Sequence, residues 1–138
     1  MEEIIWKDEY SVGVDQFDRQ HQHLFEIINK LTARPDTSKD SSLTSQTIKE
    51  MFDYAKEHFT AEEELMQQYD YPEIESHKKQ HDYFIGTTDE LSNTKVRPEE
   101  IAEFLKVWWT IHVLKVDMKY KEFFKANLPA HSELKTKA

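Results

Sequence analysis

The apolar positions of this chain recur with a helical period. Phe17, His21, Leu24, Ile28 and Leu31 follow alternating steps of four and three residues, the spacing that lines side chains along one face of an α-helix. The same rhythm runs through Met51, Ala55, His58, Glu62, Leu65 and Tyr69. It returns in Ile74, His77, His81, Phe84, Thr88 and Leu91, and again in Ile101, Leu105, Trp108 and His112. Each set predicts an amphipathic helix with its stripe turned inward.

Chain breakers are scarce, with Gly only at 13 and 86 and Pro only at 35, 72, 98 and 129. Three polar stretches carry turn signals: Arg34 to Ser42 around Pro35, Tyr69-Asp70-Tyr71 before Pro72, and Ser92 to Arg97 before Pro98. They divide the chain into four segments of roughly 18 to 28 residues, each suited to a bundle helix about 30 Å long. The expected fold is all-α: an antiparallel, up-and-down four-helix bundle with short connections. Residues 1–16 read as an irregular N-terminal arm offering Trp6, Tyr10 and Val12 for packing. A short C-terminal helix carries Tyr120, Phe123 and Phe124 before a tail at Pro129. One domain is expected over 1–138, with its bundle core at about 15–120.

Composition narrows the function. Apolar residues make up 38% and aromatics 12%, enough for a real core in 138 residues. Acidic side chains number 27 against 18 basic, a net charge of −9, which argues against a nucleic-acid partner because phosphate binding needs clustered Lys and Arg. Cysteine is absent, so disulfides, thiolate metal sites and a Cys nucleophile are excluded. No run of about 18 apolar residues offers a membrane span, and the start lacks the pattern of a secretory signal. A cytoplasmic monomer is expected.

The chemistry lies where the stripes are not apolar. His21, His58, Glu62, His77, His81 and His112 occupy phases that call for Leu or Ile. A buried imidazole needs a partner, and an unpaired buried carboxylate costs several kcal/mol. One bound metal answers both needs, since neutral imidazole and carboxylate oxygen are good ligands. His58 with Glu62, and His77 with His81, stand four residues apart, so each pair shares a helix face about 40° wide. Five histidines and a glutamate exceed the four or so protein ligands of one tetrahedral ion. Two metals bridged by a carboxylate would use them all.

These residues sit in a wider pattern. It includes Ile5-Trp6, Val12-Gly13-Val14, Phe17-Asp18-Arg19-Gln20-His21 with Leu24-Phe25, and His58-Phe59-Thr60-Ala61-Glu62-Glu63 with Met66. It continues through Tyr71-Pro72, His77-Lys78-Lys79-Gln80-His81, Phe84, and Trp108 to His112, Asp117 and Tyr120. The chain thereby resembles the bacterial hemerythrins over nearly its whole length. The resemblance implies a non-haem di-iron centre, two Fe ions per chain with an oxo or hydroxo bridge. One iron would take His77, His81 and His112; the other would take His21 and His58 and keep an open position; Glu62 and Asp117 would bridge them. It implies reversible binding of dioxygen at that open position, for oxygen carriage, storage or delivery in the cell, with an oxygen-consuming protein as recipient. No organic substrate would be turned over, so no enzyme is expected. The competing readings are an oxygen or redox sensor, a di-iron enzyme acting on peroxide or nitric oxide, and an iron store.

Asp117 breaks the helical rule. Five residues past His112 it would point about 140° away on a regular α-helix, and Lys115 falls where the stripe wants a core residue. A widened turn, a π-bulge between 112 and 117, would swing Asp117 inward. Of the remaining polar candidates, His23 is expected to face solvent, His131 to lie in the tail, and Glu63 and Glu64 to be solvated. Phe25, Phe59, Trp108, Trp109, Val113 and Val116 are candidate walls for an O2 pocket. Other metal readings fit less well. A zinc-protease helix needs Glu directly after its first His, where this chain has Lys78. A carboxylate-rich di-iron oxidase uses Glu-x-x-His pairs, whereas here the order is His-x-x-x-Glu.

Overall fold

The computed structural model describes residues 3–32, 41–94 and 98–128. A short 3-10 turn, Asp8–Tyr10, precedes helices α1 (Asp15–Thr32), α2 (Ser41–Gln68), α3 (Ile74–Ser92) and α4 (Pro98–Ile111). A π-helical segment, His112–Asp117, then leads into α5 (Met118–Asn127). The residues around Pro35, at 95–97, and the tail with Pro129 and His131 lie outside the described residues. Helix α1 packs on α2 and α4, and α3 on α2 and α4, which closes the four-helix bundle. Helix α5 is no separate hairpin, because the backbone stays helical on both sides of the π segment, at Ile111 and at Met118.

Local chemistry explains the helix ends. Asp18 accepts from Ser11 Oγ at 2.6 Å and from the Val12 backbone N–H at 2.8 Å. This ties the arm to the first turn of α1, where Asp15 and Asp18 also complement the helix dipole. Gly13 between them has φ +79°, a conformation that side chains resist. Helix α2 ends in a Schellman motif. The Tyr71 N–H reaches the Met66 carbonyl at 2.9 Å and the Asp70 N–H reaches Gln67, with Asp70 in the left-handed region at φ 55°. Pro72 then prevents continuation, and α3 turns back beside α2.

The arm is fixed at its other end by Asn29, which both accepts from and donates to the backbone of Ile4. Trp6 and Tyr10 stand edge-on to each other, and both meet Phe25. The bundle core falls into two apolar clusters. One gathers Leu24, Ile28, Met51, Ala55, Phe59, Phe84, Leu105 and Trp109. The other gathers Val12, Val14, Phe17, Leu65, Met66, Tyr71, Tyr120 and Phe124. On α1, α2 and the α4–α5 rod the polar stripe residues lie between residues of these two clusters. The polar site is therefore a layer enclosed by apolar packing at both ends.

Candidate metal centre

All seven side chains singled out in the sequence meet in that layer. His21 comes from α1, His58 and Glu62 from α2, and His77 and His81 from α3. His112 and Asp117 come from the two ends of the π segment. Each is at most 3% exposed. The π segment answers the register problem at Asp117, because an i→i+5 turn absorbs the extra residue. His112 and Asp117 consequently face the same interior, with His112 Nε2 3.0 Å from Asp117 Oδ1.

The two carboxylates divide their oxygens between two groups of imidazoles. Glu62 Oε1 lies 3.1 Å from His81 Nε2 and 3.5 Å from His77 Nε2. Its other oxygen, Oε2, lies 3.2 Å from His58 Nε2 and 3.7 Å from His21 Nε2. Asp117 repeats the division, with Oδ1 3.0 Å from both His77 and His112 and Oδ2 3.0 Å from His21. Two donor sets result: His77, His81 and His112 with both carboxylates, and His21 and His58 with the same two carboxylates.

Such a cluster fits metal ions. The Nε2 atoms of all five histidines, Glu62 Oε1 and both Asp117 oxygens are buried with no hydrogen-bond partner among the described residues. Buried polar atoms are seldom left in that condition, and these converge on common points. Burial of two carboxylates costs several kcal/mol each unless cations compensate them. Without metal, protons take that part. Burial lowers the pKa of His21 and His77, but the neighbouring Asp117 and Glu62 outweigh it and raise them to about 9 and about 10. Burial prevails at His58 and His112, whose values fall. Burial also works against ionised Glu62 and Asp117, yet the surrounding imidazoles hold both well below the usual carboxylate range.

Three further residues fix this geometry, and the stripe pattern assigned none of them a role at the site. Tyr120 donates its hydroxyl to Glu62 Oε2 at 2.5 Å. Burial and the charges on Glu62 and Asp117 push that hydroxyl well above its normal pKa, so it remains a neutral donor. Gln20 Oε1 lies 2.5 Å from His58 Nδ1, and Glu63 Oε2 lies 2.7 Å from His81 Nδ1. Both oxygens are acceptors, so each Nδ1 carries the proton and each Nε2 turns its lone pair inward. Glu63, expected in solvent, is therefore half-buried and engaged, while Glu64 is exposed. Each of the three could be found only by knowing which helices pack together.

His23 also departs from expectation. It is half-buried, with its ring 4.4 Å from that of Tyr54, and it belongs to neither donor set. Of the candidate walls, Phe59 stacks on His81 at 3.8 Å and Trp108 on His112 at 4.3 Å. Trp109 leans on His21 and His58 at 6.4 and 6.0 Å. Phe25 instead serves the arm, Val113 is buried in the larger apolar cluster, and Val116 lines an outer groove with Tyr83 and Ile111.

A four-helix bundle that converges five imidazoles and two shared carboxylates defines a dinuclear metal-binding bundle. The hemerythrin HHE cation binding domain matches residues 12–124, and the chain belongs to that family. It is 32% identical over 129 residues to a bacteriohemerythrin of Stenotrophomonas maltophilia, covering 91% of this chain and 84% of that one. It is 34% identical over 116 residues to a hemerythrin-like protein of Naegleria gruberi, covering 84% and 89%. A myohemerythrin of Theromyzon tessulatum shares 32% over 117 residues, with the same coverage. A crystal structure of wild-type hemerythrin superposes with TM-score 0.74 at 27% identity, covering 86% of this chain and 95% of that one. The family binds dioxygen at a di-iron centre, and that is the function the fold and the cluster support.

Proposed function

We propose that His77, His81 and His112 hold one iron, that His21 and His58 hold the other, and that Glu62 and Asp117 bridge them. The observation that carries this reading is the split of each carboxylate, one oxygen toward each group of imidazoles. One set offers five protein donors and the other four, so the shorter set leaves an additional position for an exogenous ligand. Two ferrous ions held there would supply the electrons for reversible binding of dioxygen. The protein's part is to hold and enclose. Tyr120 orients Glu62, Gln20 and Glu63 fix imidazole tautomers, and Phe59, Trp108 and Trp109 pack against the histidine rings and keep water out.

On this reading the chain is a single domain over 1–138 that carries, stores or delivers oxygen and turns over no substrate. A monomer in the cytoplasm, passing dioxygen to an oxygen-consuming protein, is the setting we propose. None of the described helices is long and apolar enough to cross a membrane. The test is iron counting combined with visible absorption on anaerobically reduced protein, exposed to O2 and then purged with argon. Two irons per chain and a band that appears and then vanishes support the proposal. A band that decays to a ferric spectrum argon cannot reverse would move the function to redox sensing or turnover.

A further inference from the structure

Of the five histidines, His58 and His81 are each held at Nδ1 by another side chain, and the two holders differ in charge. His58 meets the neutral amide of Gln20, whereas His81 meets the carboxylate of Glu63. His21 Nδ1 and His112 Nδ1 are buried with no partner among the described residues. Glu63 reaches His81 because it follows Glu62 on α2, about 100° further round the helix. That step turns it away from the shared interior and across the α2–α3 packing. The side chain of His81 is 1% exposed and that of Glu63 only 27%, so the pair is poorly screened. Acceptance by a carboxylate draws the imidazole proton outward and enriches the inner nitrogen in electron density; a neutral amide does this far less.

We propose that Glu63 is a positioning residue that makes the two halves of the centre electronically unequal. It fixes His81 Nε2 as a donor and lends negative charge to the three-imidazole set, favouring the ferric state there. Gln20 fixes His58 without adding charge. The inference rests on the di-iron reading.

The test uses the full chain, loaded with iron, as wild type, Glu63→Gln, Gln20→Glu and the exposed control Glu64→Gln. Midpoint potentials are read by anaerobic spectroelectrochemistry, and iron retention by competition with a ferrous chelator. Glu63→Gln should keep two irons and wild-type circular dichroism. One of its two one-electron steps should rise by about 59 mV, equivalent to a tenfold loss of preference for the ferric ion. Gln20→Glu should lower the other step, and Glu64→Gln should move neither. Glu63→Ala, which lacks any acceptor, should lose iron to the chelator with an affinity about 10- to 100-fold weaker. Unmoved potentials in Glu63→Gln, or an equal shift in Glu64→Gln, overturn this proposal while the wild type keeps its two irons. A wild-type chain that takes up no iron overturns the di-iron reading and this inference with it.

Discussion

The two donor sets share both carboxylates, yet they are built and supported differently. The larger set draws its imidazoles from α3 and the start of the π segment. Two of its rings are clamped flat, His81 under Phe59 and His112 under Trp108, and Glu63 grips His81 from behind. The smaller set pairs His21 of α1 with His58 of α2, their rings edge-on at 4.6 Å, with Trp109 tilted against both. Closed, fully supplied metal sites are generally structural, while reactive ones keep a position open. On the proposed assignment the asymmetry separates a holding half from a ligand-accepting half within one apolar enclosure.

Removing a shared member should hurt both halves at once and give the largest effect. Glu62→Ala takes an oxygen from each set, strips Tyr120 of its acceptor, and leaves Asp117 as the one carboxylate of the cluster facing the protonated imidazoles. Both irons should be lost. The iron-free protein should lose about 3–5 kcal/mol, the usual cost of breaking a buried ion pair from one side. Metal analysis and thermal melting read this directly, and two irons retained in Glu62→Ala would end the bridging assignment.

Removing an unshared member should separate the halves. His58→Ala leaves three protein donors in the smaller set, fewer than the four or so that hold an ion firmly. His81→Ala still leaves four in the larger. Iron content should fall to roughly one per chain in His58→Ala. His81→Ala should keep more iron than His58→Ala, because four protein donors remain in its set. Equal losses would mean that donor number does not distinguish the halves.

Proton competition sharpens the comparison further, because each half contains at least one histidine whose pKa rises despite burial, His21 in the smaller set and His77 and His81 in the larger. The pKa values of His21 and His77, about 9 and about 10, lie above the usual 6.5. Their stabilising contribution to the iron-free chain is complete below pH 6.5 and disappears as pH rises through 9 and then 10. Iron must displace the same protons, so its affinity should change in the opposite direction. It should rise by up to about tenfold per pH unit for each proton released. Glu62 and Asp117 are ionised throughout this window and contribute no slope. Melting of iron-free protein at pH 7 to 10, beside chelator competition at the same values, measures both trends. A flat melting profile would contradict the carboxylate–imidazolium pairing.

How much of this was legible beforehand depended on whether periodicity carries the information. Four helices and six of the seven site residues follow from steps of three and four, since a polar residue at a core phase announces itself. Asp117 does not keep that phase, and it came from family resemblance together with the slip at Lys115. The π segment supplies the physical reason: one extra residue sits between two α-helical stretches whose phases otherwise continue. Gln20, Glu63 and His23 lay beyond reach because their partners belong to neighbouring helices, and the stripe pattern says nothing about which side chains meet across an interface. The bulge makes its own prediction. Deleting the exposed Lys115 should convert the π turn to a regular one, with Asp117 four residues after His112 and still inward. Iron content should then hold at two per chain. Deleting the exposed Val107, inside regular α4, should rotate everything beyond it by about 100° and empty the site. Iron loss on deleting Lys115 would show that the widened turn itself is required.

The smallest effect tests whether the two sets are complete. His23 lies two residues from His21 on α1, but its ring rests on Tyr54, outside both sets. His23→Ala should cost about 1 kcal/mol, the size of one aromatic contact. In a chain of this length that lowers the melting temperature by about 3 °C. Iron stoichiometry and the reversible O2 band should remain as in wild type, because no donor and no residue holding a donor has been touched. A melting shift of this size with full iron would confine His23 to packing. Loss of either iron would mean that the smaller half extends beyond His21 and His58, and its apparent shortage of donors could no longer explain where dioxygen binds.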